Sequence, residues 1–171
     1  ALGLFYMLMG NDLVHTAKLF NCILSILSLP LMFLIFSKLS SSKAVVYGAY
    51  TLVALLPNFI AYNNVVGTEV FFTFLFALVI FLQLYLFKNW IRYPLLGITI
   101  GVAALTKPFF LAYPLVAGLY IWLKNKNGRE TLALVLTASV LMIVVVSPWT
   151  LRNFNKYGSF MHISYNSGYV L

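Results

Sequence analysis

Long apolar runs, separated by short polar segments, set the pattern of this chain. Several of these runs approach the ~20 residues that a helix needs to cross the hydrocarbon core of a membrane. The pattern therefore predicts an all-α, polytopic membrane protein with about six transmembrane or half-membrane helices. The expected spans form a partial transmembrane helical domain over residues 1–151 and lie near residues 19–36, 44–62, 70–87, 94–106, 109–123 and 131–147.

The last apolar run closes on the stretch Ser147-Pro148-Trp149-Thr150-Leu151-Arg152-Asn153. Pro148 either ends or kinks the helix, because proline lacks a backbone N–H and clashes with the preceding turn. Trp149 suits the membrane interface, and the guanidinium of Arg152 is a planar fork that suits phosphate. Residues 152–171 are expected to begin an external polar loop. From the residues alone, the stretch also fits a plain helix end with an interfacial anchor.

A single lysine decides how many spans the second half of the chain contains. Lys107 lies between two short apolar runs, followed by Pro108. If residues 94–123 formed one helix, Lys107 would be buried in the middle of the membrane, which costs at least ~3 kcal/mol for an unpaired lysine. We therefore expect two short or tilted spans, with Lys107 at a membrane surface.

Composition and charge support a membrane protein and give it an orientation. The chain is 63% hydrophobic and 8% charged, with 11 Lys and Arg against 3 Asp and Glu. Because the basic residues lie in short loops, we interpret them as orienting the protein in the membrane, with no nucleic-acid partner. The cytoplasmic side is expected to carry Lys38, Lys43, Lys88, Arg92, Lys124, Lys126 and Arg129, and the external side Asp12, Lys18, Glu69, Lys107, Arg152 and Lys156.

Two acidic residues stand on the expected external side. Asp12 and Glu69 each lie near a predicted helix start, where the helix dipole favours a carboxylate, so a structural role is open for both. Glu69 is also a functional candidate, because ionisable groups at the membrane edge are often functional. A carboxylate and several cations on one face would fit an anionic lipid headgroup.

The templates of several other binding sites are missing from the sequence. His15 and His162 lie far apart, and no closely spaced pair of His or Cys residues occurs. No glycine-rich nucleotide-binding loop is present. The sequence therefore favours a lipid-linked substrate over a nucleotide-linked one.

Four motifs, in the same order along the chain, resemble those of the C-type membrane glycosyltransferases, the relatives of aminoarabinose transferase and the protein O-mannosyltransferases. One departure is a lysine at position 18, where the family usually has arginine. The motifs are Ala17-Lys18-Leu19-x-Asn21; Leu56-Pro57 with Tyr62 and Thr68-Glu69; Gly101-x-x-x-Leu105-Thr106-Lys107-Pro108; and Pro148-Trp149-Thr150-Leu151-Arg152-Asn153 with Tyr157-Gly158-Ser159-Phe160 and Ser164 to Gly168.

The resemblance implies an enzyme that transfers a sugar, with inversion, from a polyprenyl-phosphate donor to a lipid, glycan or protein acceptor. The reaction would take place at the external face of the cytoplasmic membrane, among membrane lipids. The resemblance implies that Arg152, Lys107 and Lys18 contact the donor phosphate. It also implies that Glu69 binds substrate or helps to hold a divalent metal ion, and it identifies no other cofactor.

The catalytic base is not assigned to a residue of this chain. In the family that it resembles, the base is a carboxylate in an external loop after the first transmembrane helix. The sequence begins at Ala1 within apolar residues and stops at Leu171 within the polar tail. We therefore expect a piece of a longer membrane protein, with the main base upstream of Ala1. Asp12 comes too late in the pattern to be that base.

Two other classes of membrane protein stay open as alternatives. A transporter or lipid flippase would also contain proline-broken helices and cations within the membrane. Against that class, the chain has no internal repeat, and its polar groups cluster at one surface instead of the midplane. A non-catalytic membrane scaffold is the other alternative, and sugar transfer that depends on a lipid-linked donor would exclude both.

Overall fold

The computed structural model describes residues 13–65, 67–85 and 91–158. These residues form helices and no strand, which confirms the predicted all-α fold class. The chain divides into two compact units, Ala1–Leu84 and Tyr85–Leu171, which we call unit 1 and unit 2. The predictions for Asp12, Lys88 and residues 159–171, including His162, lie outside the described residues.

Unit 1 is built around a helical hairpin. The first two helices pack through aromatic rings, since the Phe33 ring lies 6.0 Å from the ring of Tyr47 and 5.5 Å from that of Tyr50, centroid to centroid. Aromatic pairs at such separations add to the stabilisation that burial provides. The helices of unit 1 are α1 (Leu13–Leu39), α2 (Lys43–Leu55), α3 (Pro57–Tyr62) and α4 (Glu69–Tyr85).

The apolar run near residues 44–62 forms two helices instead of one. Leu56 has an extended backbone (φ −60°, ψ 118°) between α2 and α3, and Pro57 opens α3. A residue before proline is pushed out of the helical region, and proline is well suited to the first helical position. By contrast, α1 continues through Pro30, as membrane helices tolerate.

The described part of unit 2 contains three helices and a short 3-10 helix. Its chain breaks at Lys107, whose backbone is extended (φ −138°, ψ 108°), directly before Pro108. The last described helix begins after Asn127, whose side-chain oxygen accepts hydrogen bonds from the N–H groups of Arg129 (3.1 Å) and Glu130 (3.3 Å) as an N-cap. The elements are α5 (Arg92–Thr106), the 3-10 helix (Pro108–Ala112), α6 (Tyr113–Asn125) and α7 (Gly128–Tyr157).

The last helix extends beyond the expected boundary at Leu151. α7 continues through Pro148 to Tyr157, so Arg152 and Asn153 are helical and do not begin a loop. One proline removes a single backbone hydrogen bond, and the turns on either side of it can hold a long helix together. The helix ends at Gly158, which has a left-handed backbone (φ 66°) and donates its N–H to the Phe154 carbonyl, as a glycine C-cap does.

Small residues let the helices of unit 2 approach closely. A Cβ on Gly97 would lie 2.8 Å from the Ala138 backbone, and one on Gly101 would lie 2.7 Å from the Val145 Cβ. Because both numbers increase together, α5 and α7 run parallel, with the Gly-x-x-x-Gly spacing typical of close membrane helix pairs. Gly118 of α6 packs on α7 as well.

The lengths and exposed faces of the helices fit a membrane protein. Two helical segments, Val14–Leu39 and Gly128–Lys156, are long and apolar enough to cross a membrane. Large apolar side chains point outward along the helices, such as Leu52 (72% exposed) and Leu115 (67%). Such outward apolar faces suit a hydrocarbon solvent, whereas a water-soluble helix has a polar outer face.

Candidate functional site

Lys107 and Arg152 lie at the same end of unit 2. Gly101 packs against Val145, and α5 and α7 run in parallel from that contact. Lys107 follows Gly101 by six residues and Arg152 follows Val145 by seven. At a rise of ~1.5 Å per helical residue, Lys107 comes about 9 Å and Arg152 about 10.5 Å beyond the contact. The parallel packing therefore brings two of the predicted phosphate-binding residues to the same end of unit 2.

The two cations differ in their surroundings. Lys107 is half-buried in the break after α5, where its N–H donates to the Ala103 carbonyl (3.0 Å) and its own carbonyl accepts from Phe110 (3.1 Å). Arg152 is exposed on α7, with its guanidinium 5.0 Å above the centroid of the Trp149 ring. The ring therefore holds the guanidinium through a cation–π contact, and the edge of a stacked guanidinium can still bind an anion.

Lys18 and Glu69 lie at the same end of unit 1. Their helices meet where the rings of Phe20 and Phe71 pack 5.9 Å apart, centroid to centroid. Lys18 precedes Phe20 by two residues, and Glu69 precedes Phe71 by two. Both side chains are half-buried. One cation and one carboxylate thus stand within a helical turn of a shared contact.

The carboxylate of Glu69 is folded back over the chain that leads into α4. It lies over Gly67 so closely that a Cβ there would overlap its oxygen. Glu69 is the first residue of α4, and its carbonyl accepts a hydrogen bond from the Thr73 hydroxyl (2.9 Å). A helix N-terminus favours a carboxylate through its dipole, so the folded position stabilises the charge as well.

Two hydrogen bonds tie the turn before α4 to α1, and sequence reasoning did not select the residues that make them. The Asn21 side chain donates to the Val65 carbonyl at 2.9 Å. The Ser25 hydroxyl donates to the side-chain oxygen of Asn63 at 2.6 Å. Asn21 is one turn before Ser25 on α1, so both side chains share one face of the helix. We call these four residues the α1 clamp.

In two of the family-like motifs the asparagine is buried and the cation is not. Asn21 is 3% exposed and Asn153 is 7% exposed, whereas Lys18 is half-buried and Arg152 is exposed. The motifs named both asparagines, and that was the signal available from the sequence. Charge does not identify them as functional candidates, because an uncharged amide in an apolar helix is also typical of an interfacial residue.

A cavity of about 310 Å³ lies within unit 1. This volume is at the lower end of the range of ~300–1,000 Å³ usual for ligand pockets. Ser25 and Asn63 of the α1 clamp contribute polar atoms to its wall, and most of the rest of the wall is apolar. Its main apolar lining is Ile26, Leu29, Met32, Val53, Phe59 and Ile60.

Glu69 is the candidate metal ligand that the resemblance names. Among the described residues, no group of three His, Cys, Asp or Glu side chains is close enough to hold a metal ion. Glu69 could supply one oxygen ligand to a divalent cation, and phosphate oxygens of a donor suit the same kind of ion.

The other end of unit 2 holds a structural ion pair. Arg92 at the start of α5 is buried and pairs with Glu130 in the first turn of α7. Asn125 also donates to the Glu130 carboxylate at 2.9 Å, and the Arg92 guanidinium lies 4.4 Å above the Tyr93 ring centroid. These contacts engage Arg92 in joining two helix ends, away from Lys107 and Arg152.

Comparison with known proteins gives one match. A family model described as dolichyl-phosphate-mannose-protein mannosyltransferase matches residues 8–164. No curated protein and no solved structure matches the chain. The matched range contains Lys18, Glu69, Lys107 and Arg152.

Proposed function

Because this chain belongs to the dolichyl-phosphate-mannose-protein mannosyltransferase family of membrane glycosyltransferases, we propose that it acts in sugar transfer from a polyprenyl-phosphate donor. The family description names mannose as the sugar and protein as the acceptor. The acceptor side of the reaction would be the external face of the cytoplasmic membrane. The observation that carries the proposal is that the parallel helices α5 and α7 bring Lys107 and Arg152 to the same end of unit 2.

In this proposal Lys107 and Arg152 bind the donor phosphate. During transfer, the bond between the anomeric carbon and the phosphate oxygen breaks, and the acceptor hydroxyl oxygen bonds to that carbon from the opposite side. Negative charge grows on the departing polyprenyl phosphate. Fixed cations in a site of low dielectric constant stabilise that charge most in the transition state. The guanidinium of Arg152 can offer two parallel N–H groups to phosphate oxygens.

The acceptor hydroxyl must also lose its proton to a general base. The resemblance assigns that task to a carboxylate of an external loop ahead of the segment that begins with Ala1, and we retain that prediction. Glu69 has a separate role in the proposal. Its carboxylate would accept hydrogen bonds from the sugar or supply one ligand to a divalent cation on the donor phosphate. Lys18 would add a further positive charge at that end of unit 1.

We further propose that the cavity in unit 1 takes part of the isoprenoid chain of the donor. Its wall is mainly apolar, and an isoprenoid chain has no polar group to satisfy. Ser25 and Asn63 are among the polar residues of the wall and belong to the clamp that precedes Glu69. This arrangement suits an amphiphile with a polar head and a long apolar tail.

Sugar transfer by the full-length protein in lipid nanodiscs tests the proposal. The probe is polyprenyl phosphate carrying radiolabelled mannose, and the measurement is label transferred to protein. We expect transfer by the wild type, and strongly reduced transfer by Arg152→Ala and by Glu69→Ala. Arg129→Ala, which removes an exposed arginine near the start of the same helix, should transfer normally.

Equal transfer by wild type, Arg152→Ala and Glu69→Ala would overturn the proposed roles of these residues. If the wild type, reconstituted in sealed lipid vesicles, moves the labelled donor across the membrane without transferring the sugar, the protein is a transporter or flippase. If it does neither, a scaffold is the better description.

A further inference from the structure

We propose that Asn21 and Ser25 are positioning residues for Glu69. They hold the turn before α4 against α1 and thereby fix the place at which α4 begins. The inference rests on the proposed function, because it takes Glu69 to act in sugar transfer. According to this inference, sugar transfer also depends on two uncharged residues, Asn21 and Ser25.

Asn21 binds a backbone carbonyl at the end of the turn. After α3 ends, the N–H of Asn64 bonds back to the Ala61 carbonyl (3.0 Å) and the N–H of Val65 to the Tyr62 carbonyl (3.1 Å). These donors are satisfied within the turn. The carbonyl of Val65 accepts from the side chain of Asn21. A carbonyl outside regular helix needs such a partner where water is scarce.

Ser25 adds a second point of attachment. Its hydroxyl binds Asn63, two residues ahead of the carbonyl that Asn21 binds. One bond would allow the turn to rotate about it, whereas two bonds fix its orientation as well. Asn21 is almost completely buried at 3% exposure, and a buried amide that loses its hydrogen-bond partner is destabilised. The clamp is therefore strongly favoured over an open turn.

Little chain separates the clamp from the carboxylate. Glu69 follows Val65 by four residues, and the Thr68 carbonyl already accepts the first bond of α4, from Phe72 at 2.8 Å. The carboxylate lies back over Gly67, within this short connection. A shift of the turn therefore shifts the carboxylate. A misplacement of ~1 Å in a catalytic arrangement can cost ~100-fold in rate.

A double-mutant cycle in the full-length protein tests this coupling. The assay uses nanodiscs and polyprenyl phosphate carrying radiolabelled mannose. Asn21→Asp keeps the size of the side chain and removes its donor, and we expect kcat/KM to fall ~10- to 100-fold. Ser25→Val should reduce kcat/KM as well. Ser25→Thr introduces a side chain of the same shape as valine but keeps the hydroxyl, so its kcat/KM should be close to that of the wild type. Asn64→Ala is the matched control, because Asn64 is exposed in the same turn.

Asn21→Asp is also made in the Glu69→Gln protein, which separates an effect on the position of Glu69 from an effect on general stability. If Asn21 acts through Glu69, Asn21→Asp should cost little further activity once Glu69 is replaced, because the two effects are not additive. An equal loss in both backgrounds would overturn the inference. A wild-type rate for Ser25→Val would overturn the part assigned to Ser25.

A labelling experiment keeps the inference distinct from the proposed role of Glu69. In a Cys22→Ser background, which removes the exposed native thiol, Glu69→Cys is reacted with a water-soluble maleimide. Asn21→Asp should change its labelling rate several-fold, and Asn64→Ala should not. If Glu69→Gln transfers sugar normally, the proposed role of Glu69 fails. An unchanged labelling rate shows that the clamp does not position residue 69.

Discussion

Gly101 packs so closely against α7 that a Cβ at this position would lie 2.7 Å from the Cβ of Val145. Atoms at that separation overlap, so an ordinary side chain would push the helices apart. The contact fixes the register of α5 on α7, because Gly97 makes a similar approach to Ala138 one turn earlier. The parallel direction of the two helices brings Lys107 and Arg152 to the same end of unit 2.

Gly101→Ala is expected to destabilise unit 2. The added methyl group must displace Val145, and overpacking of this kind costs ~1–3 kcal/mol. Thermal unfolding of the purified protein in detergent would measure the loss as a lower midpoint. Val145→Ala combined with Gly101→Ala should recover part of it, because it removes the Val145 Cγ1 atom, which the new methyl group would approach to 3.0 Å, although the Val145 Cβ remains.

Gly48→Ala is the control for that experiment. Gly48 lies inside α2, and nothing comes within 4 Å of a Cβ there. Alanine at such a position favours the helix by ~0.5–1 kcal/mol over glycine, so the midpoint should stay or rise. A midpoint lowered equally by both substitutions would argue against close packing as the cause.

Arg152→Ala is expected to weaken donor binding. A hydrogen bond to a charged group contributes ~1.5–3 kcal/mol, which corresponds to a rise of ~10- to 100-fold in the KM for polyprenyl-phosphate mannose. The KM of Arg152→Lys should lie between those of the wild type and Arg152→Ala, since lysine keeps the charge and lacks the planar fork. Unchanged KM values in Arg152→Ala and Lys107→Ala together would remove the phosphate site from this end of unit 2.

Gly67→Ala is expected to lower transfer by displacing the carboxylate of Glu69. The new Cβ would occupy the position of a Glu69 oxygen. Because that oxygen ends a flexible side chain, the fold should tolerate the change, and the thermal midpoint should move little. Steady-state kinetics should show a lower kcat/KM, and the substitution should have little effect in the Glu69→Gln protein. A wild-type kcat/KM would show that the folded position is not used.

Glu130→Gln is expected to destabilise unit 2 without a direct effect on donor binding. It leaves the buried guanidinium of Arg92 without its paired charge, and breaking a buried pair costs up to ~3–5 kcal/mol. The partial exposure of the Glu130 side chain, 24%, lowers the expected cost to ~1–3 kcal/mol. Thermal unfolding measures the effect, and Arg129→Gln, at the exposed neighbour, should change nothing.

The prolines show how far local sequence determines this fold. Pro57 and Pro108 both follow an extended residue and open a new helical segment, whereas α1 and α7 continue through Pro30 and Pro148. The rule that proline breaks a helix makes the same prediction for all four prolines, yet only two of them separate helical segments. The outcome depends on the flanking turns, which hold a long helix together when one hydrogen bond is lost. A proline and the residue before it therefore do not determine whether the helix continues.

For the candidate residues too, the sequence determined one part and the tertiary structure another. The motifs predicted Lys18, Glu69, Lys107 and Arg152 as a set, and the family match over residues 8–164 agrees with the resemblance that suggested them. The sequence did not reveal which partners hold them in place. Asn21 lies 44 residues from Val65 in sequence, and only the return of α2 and α3 along α1 brings the two together.

The sequence by itself determined that this protein is an all-α membrane protein of a glycosyltransferase family. Apolar runs and loop charges suffice for the membrane class, because hydropathy is a property of each segment alone, and the four motifs carry the resemblance to the family. The tertiary structure decided which residues share an end of each unit. Helix direction and register depend on close contacts such as that between Gly101 and Val145. Such contacts join residues that are far apart in the chain, and no local pattern specifies them.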